Sequence, residues 1–218
     1  KEFVVALFAI LRAGCAAVPI DGEYPKERVK TILEDVGCAL CITTAEKAAE
    51  TEGAPLMILE EIFPENADEP EGDSSLDLSD PDTEGYILYP SGSTGNPKGV
   101  VHRQAMLNNA PEVLGSVRKF TEASRSLNIA GFSFIAGTFD TMPLLTTGGS
   151  VYIANETERK NMDMIHTLFE KRNITGMYIP PQMFTVMRKL YGPLPLEYVA
   201  MVGEKFVNKD NISDPGVV

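Results

Sequence analysis

The sequence predicts an α/β protein, with alternating strands and helices forming mostly parallel sheets that carry helices on both faces. Three observations lead there. Apolar residues recur at helical spacing in some stretches and in short extended runs in others, and the two patterns alternate along the 218 residues. Glycine or proline stands at many of the switch points, where a helix must start or stop. The composition, 44% hydrophobic and 23% charged, is that of an ordinary globular chain able to bury a core.

Residues 2–12 put Phe3, Leu7, Ile10 and Leu11 at helical spacing, and Gly14 is a stop signal. An extended run over 15–20 follows, then the turn Asp21-Gly22-Glu23-Tyr24. Pro25 opens a second helix carrying Val29, Ile32 and Leu33 on one face, which ends at Gly37. A strand over 39–43, a short alanine-rich helix and a strand over 56–59 complete a first α/β segment, residues 1–63. Residues 64–84 hold nine acidic residues and no basic one, and read as a solvated connection. In the second segment, 85–218, the strand Tyr86-Ile87-Leu88-Tyr89 runs into a glycine-rich string, and a helix over 103–115 follows with Pro111 as a kink point. Further strands are expected near 126–130, 150–154, 174–179 and 197–202, and helices over 138–146, 161–172 and 181–190. The chain opens inside a helical pattern and ends without a terminating feature, so it is expected to be an internal piece of a longer protein.

The net charge of -12 argues against nucleic acid and anionic membranes as partners, since both would repel such a surface. No run of eighteen apolar residues is present, so no membrane span is expected. Three cysteines, Cys15, Cys38 and Cys41, make an odd count with no disulfide framework, which suits a reducing cytoplasm. Cys38 and Cys41 have CxxC spacing but no second ligand pair, and Cys-Ala-Leu-Cys-Ile-Thr reads as a buried strand. No metal ligands are expected within the chain.

The string Ser91-Gly92-Ser93-Thr94-Gly95-Asn96-Pro97-Lys98-Gly99 has a specific physical use. Glycines let backbone N–H groups approach an anion closely. The hydroxyls of Ser91, Ser93 and Thr94 add donors, and Lys98 adds a mobile positive charge. The string suits a polyphosphate. It is not a Walker A loop, because Pro97-Lys98-Gly99 stands where that pattern demands Gly-Lys-[Ser/Thr].

The string resembles the phosphate loop of the adenylate-forming superfamily, which includes acyl-CoA synthetases and the adenylation domains of nonribosomal peptide synthetases. Leu11-Arg12-Ala13-Gly14-Cys15-Ala16-Ala17-Val18-Pro19-Ile20-Asp21 is similar to that family's "LKAGxAYVPID". Tyr24-Pro25-Lys26-Glu27-Arg28 is similar to "YPxER", Leu33-Glu34-Asp35 to "LEDSG", Ile179-Pro180-Pro181 to "LPP" and Val202-Gly203-Glu204 to "GGE". The order is right, nearly the whole chain is covered, and the peptide-synthetase branch is favoured.

The resemblance implies a two-step reaction. A carboxylate attacks the α-phosphorus of magnesium ATP to give an acyl-adenylate and pyrophosphate; a carrier-protein phosphopantetheine thiol then takes the acyl group. It implies phosphate contacts from Ser91, Gly92, Ser93, Thr94, Gly95 and Lys98, with Thr94 and Lys98 assisting the chemistry. The magnesium-binding glutamate, the ribose-binding aspartate and the lysine of the C-terminal small domain are expected beyond residue 218. The chain by itself is therefore expected to be nearly inactive.

In amino-acid-activating members a segment "FDxS" supplies an aspartate for the substrate α-ammonium. The ungapped reading sets Phe134-Ile135-Ala136-Gly137 against it, with Leu145-Thr146-Thr147-Gly148 on the family's "LLTG" and Asp140 on a family glutamate. Ile135 then replaces the aspartate, and a buried ammonium would have no partner charge. The expected substrate is a small carboxylic acid without an α-amino group. In this register Phe134, Ile135, Ala136, Phe139, Tyr178, Ala200 and Val202 line the substrate pocket. A competing register aligns Phe139-Asp140 with "FD" and makes Asp140 the ammonium partner. Two further alternatives are an acyl-CoA ligase and a non-catalytic nucleotide-binding module. His102 reads as a helix-start surface residue in preference to a general base, and His166 as ordinary surface.

Overall fold

The computed structural model describes residues 1–62, 78–90 and 97–201. They divide into two compact units, the first ending at Leu107 and the second beginning at Asn108.

In the first unit, α1 (Glu2–Arg12) buries Leu7 and Leu11, and Gly14 ends it at φ 71, a left-handed turn that glycine adopts freely. Helix α2 (Lys26–Asp35) starts after Pro25 and buries Ile32 and Leu33. Strand β1 (Cys41–Thr43) pairs in parallel with β2 (Leu56–Ile58), and the helix between them, α3 (Ala45–Ala48), is capped by the Thr44 side chain. A short helix α4 (Leu59–Ile62) follows. The CxxC stretch is not the buried strand that its alternation suggested: β1 begins only at Cys41, and Leu40 is 45% exposed.

Strands β3 (Glu84–Leu88) and β4 (Val100–Arg103) pair antiparallel, with Leu88 opposite Val100 and Tyr86 opposite His102. On its other edge β3 takes Ala17, which donates to the Gly85 carbonyl and accepts from the Ile87 N–H at 2.8 and 2.9 Å. The sequence predicts a helix starting at 103, with His102 at its start. Instead the β-branched pair Val100-Val101 continues into a strand, His102 lies within that strand, and helix α5 (Gln104–Arg118) begins afterwards. α5 runs unbroken through position 111.

The second unit holds a parallel four-stranded sheet in the order β6-β5-β7-β8, from β5 (Arg125–Asn128), β6 (Ser150–Ile153), β7 (Gly176–Ile179) and β8 (Tyr198–Met201). Helix α6 (Ile135–Leu145) connects β5 to β6; α7 (Glu156–Arg159) and α8 (Met162–Lys171) connect β6 to β7; α9 (Pro181–Tyr191) connects β7 to β8. Side chains alternate between the two faces of a strand. One face sends Leu127, Met177, Ile179 and Val199 into an apolar core with Ile165, Leu168 and Phe169 of α8 and Phe184 and Met187 of α9. Each such side chain contributes roughly 1.5–3 kcal/mol by leaving water. The other face presents Ser126, Asn128, Tyr178, Tyr198 and Ala200, and the strand register sets Tyr178 beside Ala200.

Against that second face lies α6. It starts three residues earlier than expected, at Ile135, with Phe134 as an extended N-cap residue. Ala136-Gly137 weakens the helical signal there, yet only glycine fits: a Cβ on Gly137 would fall 2.7 Å from the Gly131 carbonyl oxygen.

Candidate functional site

The phosphate-loop residues Ser91, Gly92, Ser93, Thr94 and Gly95 lie outside the described residues. The two attachments of that loop do not. The Leu88–Val100 pair brings the outgoing and returning strands side by side, with Tyr89 on one and Lys98 and Gly99 on the other. Tyr89 is held three ways. Its hydroxyl donates to Asp35 Oδ2 at 2.6 Å, and its carbonyl accepts from Arg28 Nη2 at 3.2 Å. Its ring packs on the Gly99 backbone, where a Cβ would come within 3.1 Å. Arg28 also stacks over the Tyr24 ring at 4.2 Å. Burial, and then the Asp35 carboxylate, push the Tyr89 hydroxyl pKa up, so it stays a protonated donor. The residues resembling "YPxER" and "LEDSG" thus meet at the base of the phosphate string, a placement that motif spacing alone did not reveal. Lys98 is exposed.

In the second unit the residues assigned to the substrate pocket fall into two groups. Phe134 and Ile135 stand at the start of α6, with Ala136 next and Phe139 one turn on; Phe134 is 49% exposed. Tyr178 and Ala200 are adjacent on the sheet face that α6 covers. Val202 lies outside the described residues.

A residue that sequence reasoning missed joins the groups. Arg118, the last residue of α5, donates from Nη1 to the Phe139 carbonyl at 3.5 Å and from Nη2 to the Tyr178 hydroxyl. Its guanidinium lies 4.4 Å from the Tyr178 ring centre, 5.7 Å from Phe120 and 5.9 Å from Tyr198. The Phe139 carbonyl is available because its helical partner would be the N–H of residue 143, and that residue is Pro143. Pro143, four positions after Phe139, was the one signal in the sequence that pointed to a free acceptor there.

Asp140 sits in the middle of α6 and is 1% exposed. Its Oδ1 accepts from Ser126 Oγ at 2.6 Å, while Oδ2 is buried without a hydrogen-bond partner among the described residues. Burial pushes its pKa up to about 7; the Ser126 hydrogen bond and the Arg118 charge oppose that shift. No ion pair joins Arg118 to Asp140 or to any other carboxylate among the described residues. Asn128 donates to the Gly137 carbonyl and to Thr141 Oγ1, at 3.0 and 2.8 Å, completing the polar seam between α6 and β5.

His102 is half-exposed on β4, and His166 stacks on the Tyr191 ring at 4.1 Å. Among the described residues, no group of three His, Cys, Asp or Glu side chains is placed to hold a metal ion, and no helix is long and apolar enough to cross a membrane.

Residues 1–209 match the family model described as AMP-binding enzyme. Among curated proteins, the chain is 34% identical over 160 residues to the nonribosomal peptide synthetase ecdA of Aspergillus rugulosus, covering 72% of this chain and 2% of that protein. It is 30% identical over 196 residues to bacitracin synthase 3 of Bacillus licheniformis, covering 86% of this chain and 3% of that protein. The chain thus spans only a small part of the length of these relatives. Among solved structures, a nonribosomal peptide synthetase bound to α-methyl-L-serine-AMP superposes with a TM-score of 0.79 at 25% identity, over 93% of this chain and 23% of that chain. The N-terminal subdomain of Klebsiella oxytoca NpsA has the same fold, with a TM-score of 0.78 at 21% identity over 95% of this chain and 53% of that chain.

Proposed function

The chain belongs to the AMP-binding enzyme family, as a segment of the N-terminal part of a nonribosomal-peptide-synthetase adenylation domain, and on that premise we propose that it serves a longer enzyme that activates a small carboxylic acid lacking an α-amino group. A carboxylate oxygen of the acid attacks the α-phosphorus of ATP, the bond to the bridging oxygen of the β-phosphate breaks, and pyrophosphate departs. The acyl-adenylate is then attacked at its carbonyl carbon by a carrier-protein phosphopantetheine thiolate, and AMP leaves.

Each residue has a stated part. Ser91, Gly92, Ser93, Thr94 and Gly95 offer backbone and hydroxyl donors to the phosphates. Thr94 and Lys98 stabilise the charge that grows on the departing pyrophosphate. The brace on Tyr89 holds the strand end from which that segment leaves. Magnesium would neutralise phosphate charge, held by residues outside this chain. Phe134, Ile135, Ala136, Phe139, Tyr178, Ala200 and Val202 surround the acyl group.

The observation that carries the substrate reading is the start of α6. Ile135 opens the helix, no carboxylate stands in its first turn, and the one carboxylate of α6, Asp140, is turned into β5 and engaged by Ser126. An ammonium brought to this helix start would find no counter-charge in the first turn of α6, and a buried ammonium left unpaired costs several kcal/mol. The test is ATP–pyrophosphate exchange by the longer synthetase across matched acids with and without an α-amino group. Exchange is expected with the second set only, and Ile135→Asp should abolish it. Robust exchange of the native enzyme with an α-amino acid would overturn the reading.

A further inference from the structure

Resting on that reading of the pocket, we infer that Arg118 is a specificity-determining residue, and that the substrate carries an oxygen acceptor, a second carboxylate above all, at the end remote from the carboxylate that is activated.

The inference starts from what Arg118 touches. Among the described residues it donates to the Phe139 carbonyl and the Tyr178 hydroxyl, and the proposed reading puts both of those residues around the acyl group. Pro143 frees that carbonyl, so one side of the guanidinium is pinned to the helix that forms the pocket wall. The rings of Tyr178, Phe120 and Tyr198 surround the group at 4.4 to 5.9 Å and restrict its rotamers. A guanidinium offers five N–H donors in a rigid fork, and two contacts do not exhaust them. The fork is therefore pinned and oriented with donors to spare.

Charge points the same way. Among the described residues no carboxylate forms an ion pair with Arg118, although it is only half-exposed. Asp140 feels the Arg118 charge but forms no ion pair with it, so this partly desolvated cation, held by a phenol and a carbonyl, keeps N–H donors for an anion. The charge pattern is the reverse of a site built for an ammonium: isoleucine where that site needs a carboxylate, and an arginine at Phe139, one turn along α6.

Distance along α6 sets which end of the substrate Arg118 meets. Phe139 lies four residues after Ile135, about 6 Å along the axis at 1.5 Å per residue. If Ile135 flanks the carbon next to the activated carboxyl, the guanidinium faces a group several bonds away. A bidentate pair with a distal carboxylate is the strongest fit, and the Tyr178 hydroxyl can add a third hydrogen bond. Burial holds that hydroxyl in its protonated, donating form by raising its pKa.

The experiment is pyrophosphate exchange by the longer synthetase with adipate, hexanoate, 2-aminohexanoate and 2-aminoadipate, using native enzyme, Arg118→Leu and Arg118→Lys. Adipate should exceed hexanoate in kcat/KM by roughly 100-fold or more, because a site built for a polar group rejects the analogue lacking it. Arg118→Leu should erase that preference through KM for adipate while hexanoate changes only a few-fold, and Arg118→Lys should restore part of it. Equal native rates with adipate and hexanoate would overturn the role of Arg118 and leave the reading of Ile135 standing. So would equal loss for both acids in Arg118→Leu accompanied by a lower melting temperature, which would make the residue a packing element. Exchange with 2-aminohexanoate or 2-aminoadipate would overturn the reading of Ile135 instead. No exchange with any acid of either kind would overturn both.

Discussion

The two faces of the four-stranded sheet come from alternate residues of the same strands, yet they obey different rules. Toward α8 and α9, Leu127, Met177, Ile179 and Val199 pack in a cluster of apolar side chains, and the energy is non-directional transfer from water. Toward α6, Ser126, Asn128, Tyr178 and Tyr198 are equally buried but polar, and each must be satisfied one partner at a time. Ser126 finds Asp140, Asn128 finds Gly137 and Thr141, and Tyr178 finds Arg118. The satisfaction is incomplete: among the described residues, Asp140 Oδ2 and the Tyr198 hydroxyl are buried without hydrogen-bond partners. The difference teaches where a fold can place chemistry. A face built by area tolerates only shape, whereas a face built by pairs can leave a donor or acceptor to a ligand.

The sharpest way to break the comparison is to damage the apolar face and watch the substrate. Phe169 is 2% exposed in the core. Phe169→Ala should cost about 3–5 kcal/mol of stability, through lost transfer energy plus a cavity. The urea midpoint should fall while the rank order of activated acids stays as it was. A changed rank order would mean that the faces are not independent.

On the polar face the expected effect depends on pH. Asp140 carries a folded pKa raised from 3.8 to about 7. Below pH 4 it is protonated in both states and contributes nothing. Between about 4 and 7 the unfolded chain ionises while the folded one keeps its proton, so stability falls as pH rises; above 7 the whole loss is in place. A shift of that size corresponds to at most about 4 kcal/mol. Asp140→Asn keeps an acceptor for Ser126 and has no charge to bury. It should flatten the stability profile between pH 4 and 7 and melt higher than the native protein at pH 8. An unchanged slope would show that Asp140 is ionised in the fold.

How much of this was legible in the sequence follows the same division. The amphipathic helices α1, α2, α8 and α9 announce themselves, because transfer energy selects periodicity and periodicity is visible in one dimension. Short elements lacking it were lost, β4 and α4 among them. α7 could have been found, since Asn155 and Glu158 form a capping box at the spacing that motif requires. The string 91–99 stood out in the sequence because the phosphate binding proposed for it draws on contiguous residues, and 91–96 of it lie outside the described residues. Arg118 was not, because a basic residue in the last turn of a helix is ordinarily explained by the helix dipole. Its meaning depends on Pro143 and Tyr178, which only the folded chain brings to it. The start of α6 was obscured by Gly137, chosen for a close approach to Gly131 and not for helix formation.

The smallest effect tests whether the rule of satisfied pairs extends to the first unit. Tyr89 is 4% exposed and sits where the strand gives way to the phosphate string. Tyr89→Phe keeps the ring against Gly99 and the carbonyl for Arg28, and removes only the 2.6 Å bond to Asp35. Loss of one such bond should cost about 0.5–1.5 kcal/mol, since Asp35 lies near enough to the surface to regain water. If the brace matters only to folding, the melting temperature falls and pyrophosphate exchange is unchanged once the enzyme is folded. If it fixes the strand end that presents the phosphate string, KM for ATP should rise several-fold with KM for the acid unmoved. The second outcome is expected, because the hydroxyl ties α2 to the last residues before the string and bonds to none of the residues proposed to surround the acyl group. A rise in the acid KM at constant ATP KM would place Tyr89 with the substrate instead, and the proposed role of the brace would fail.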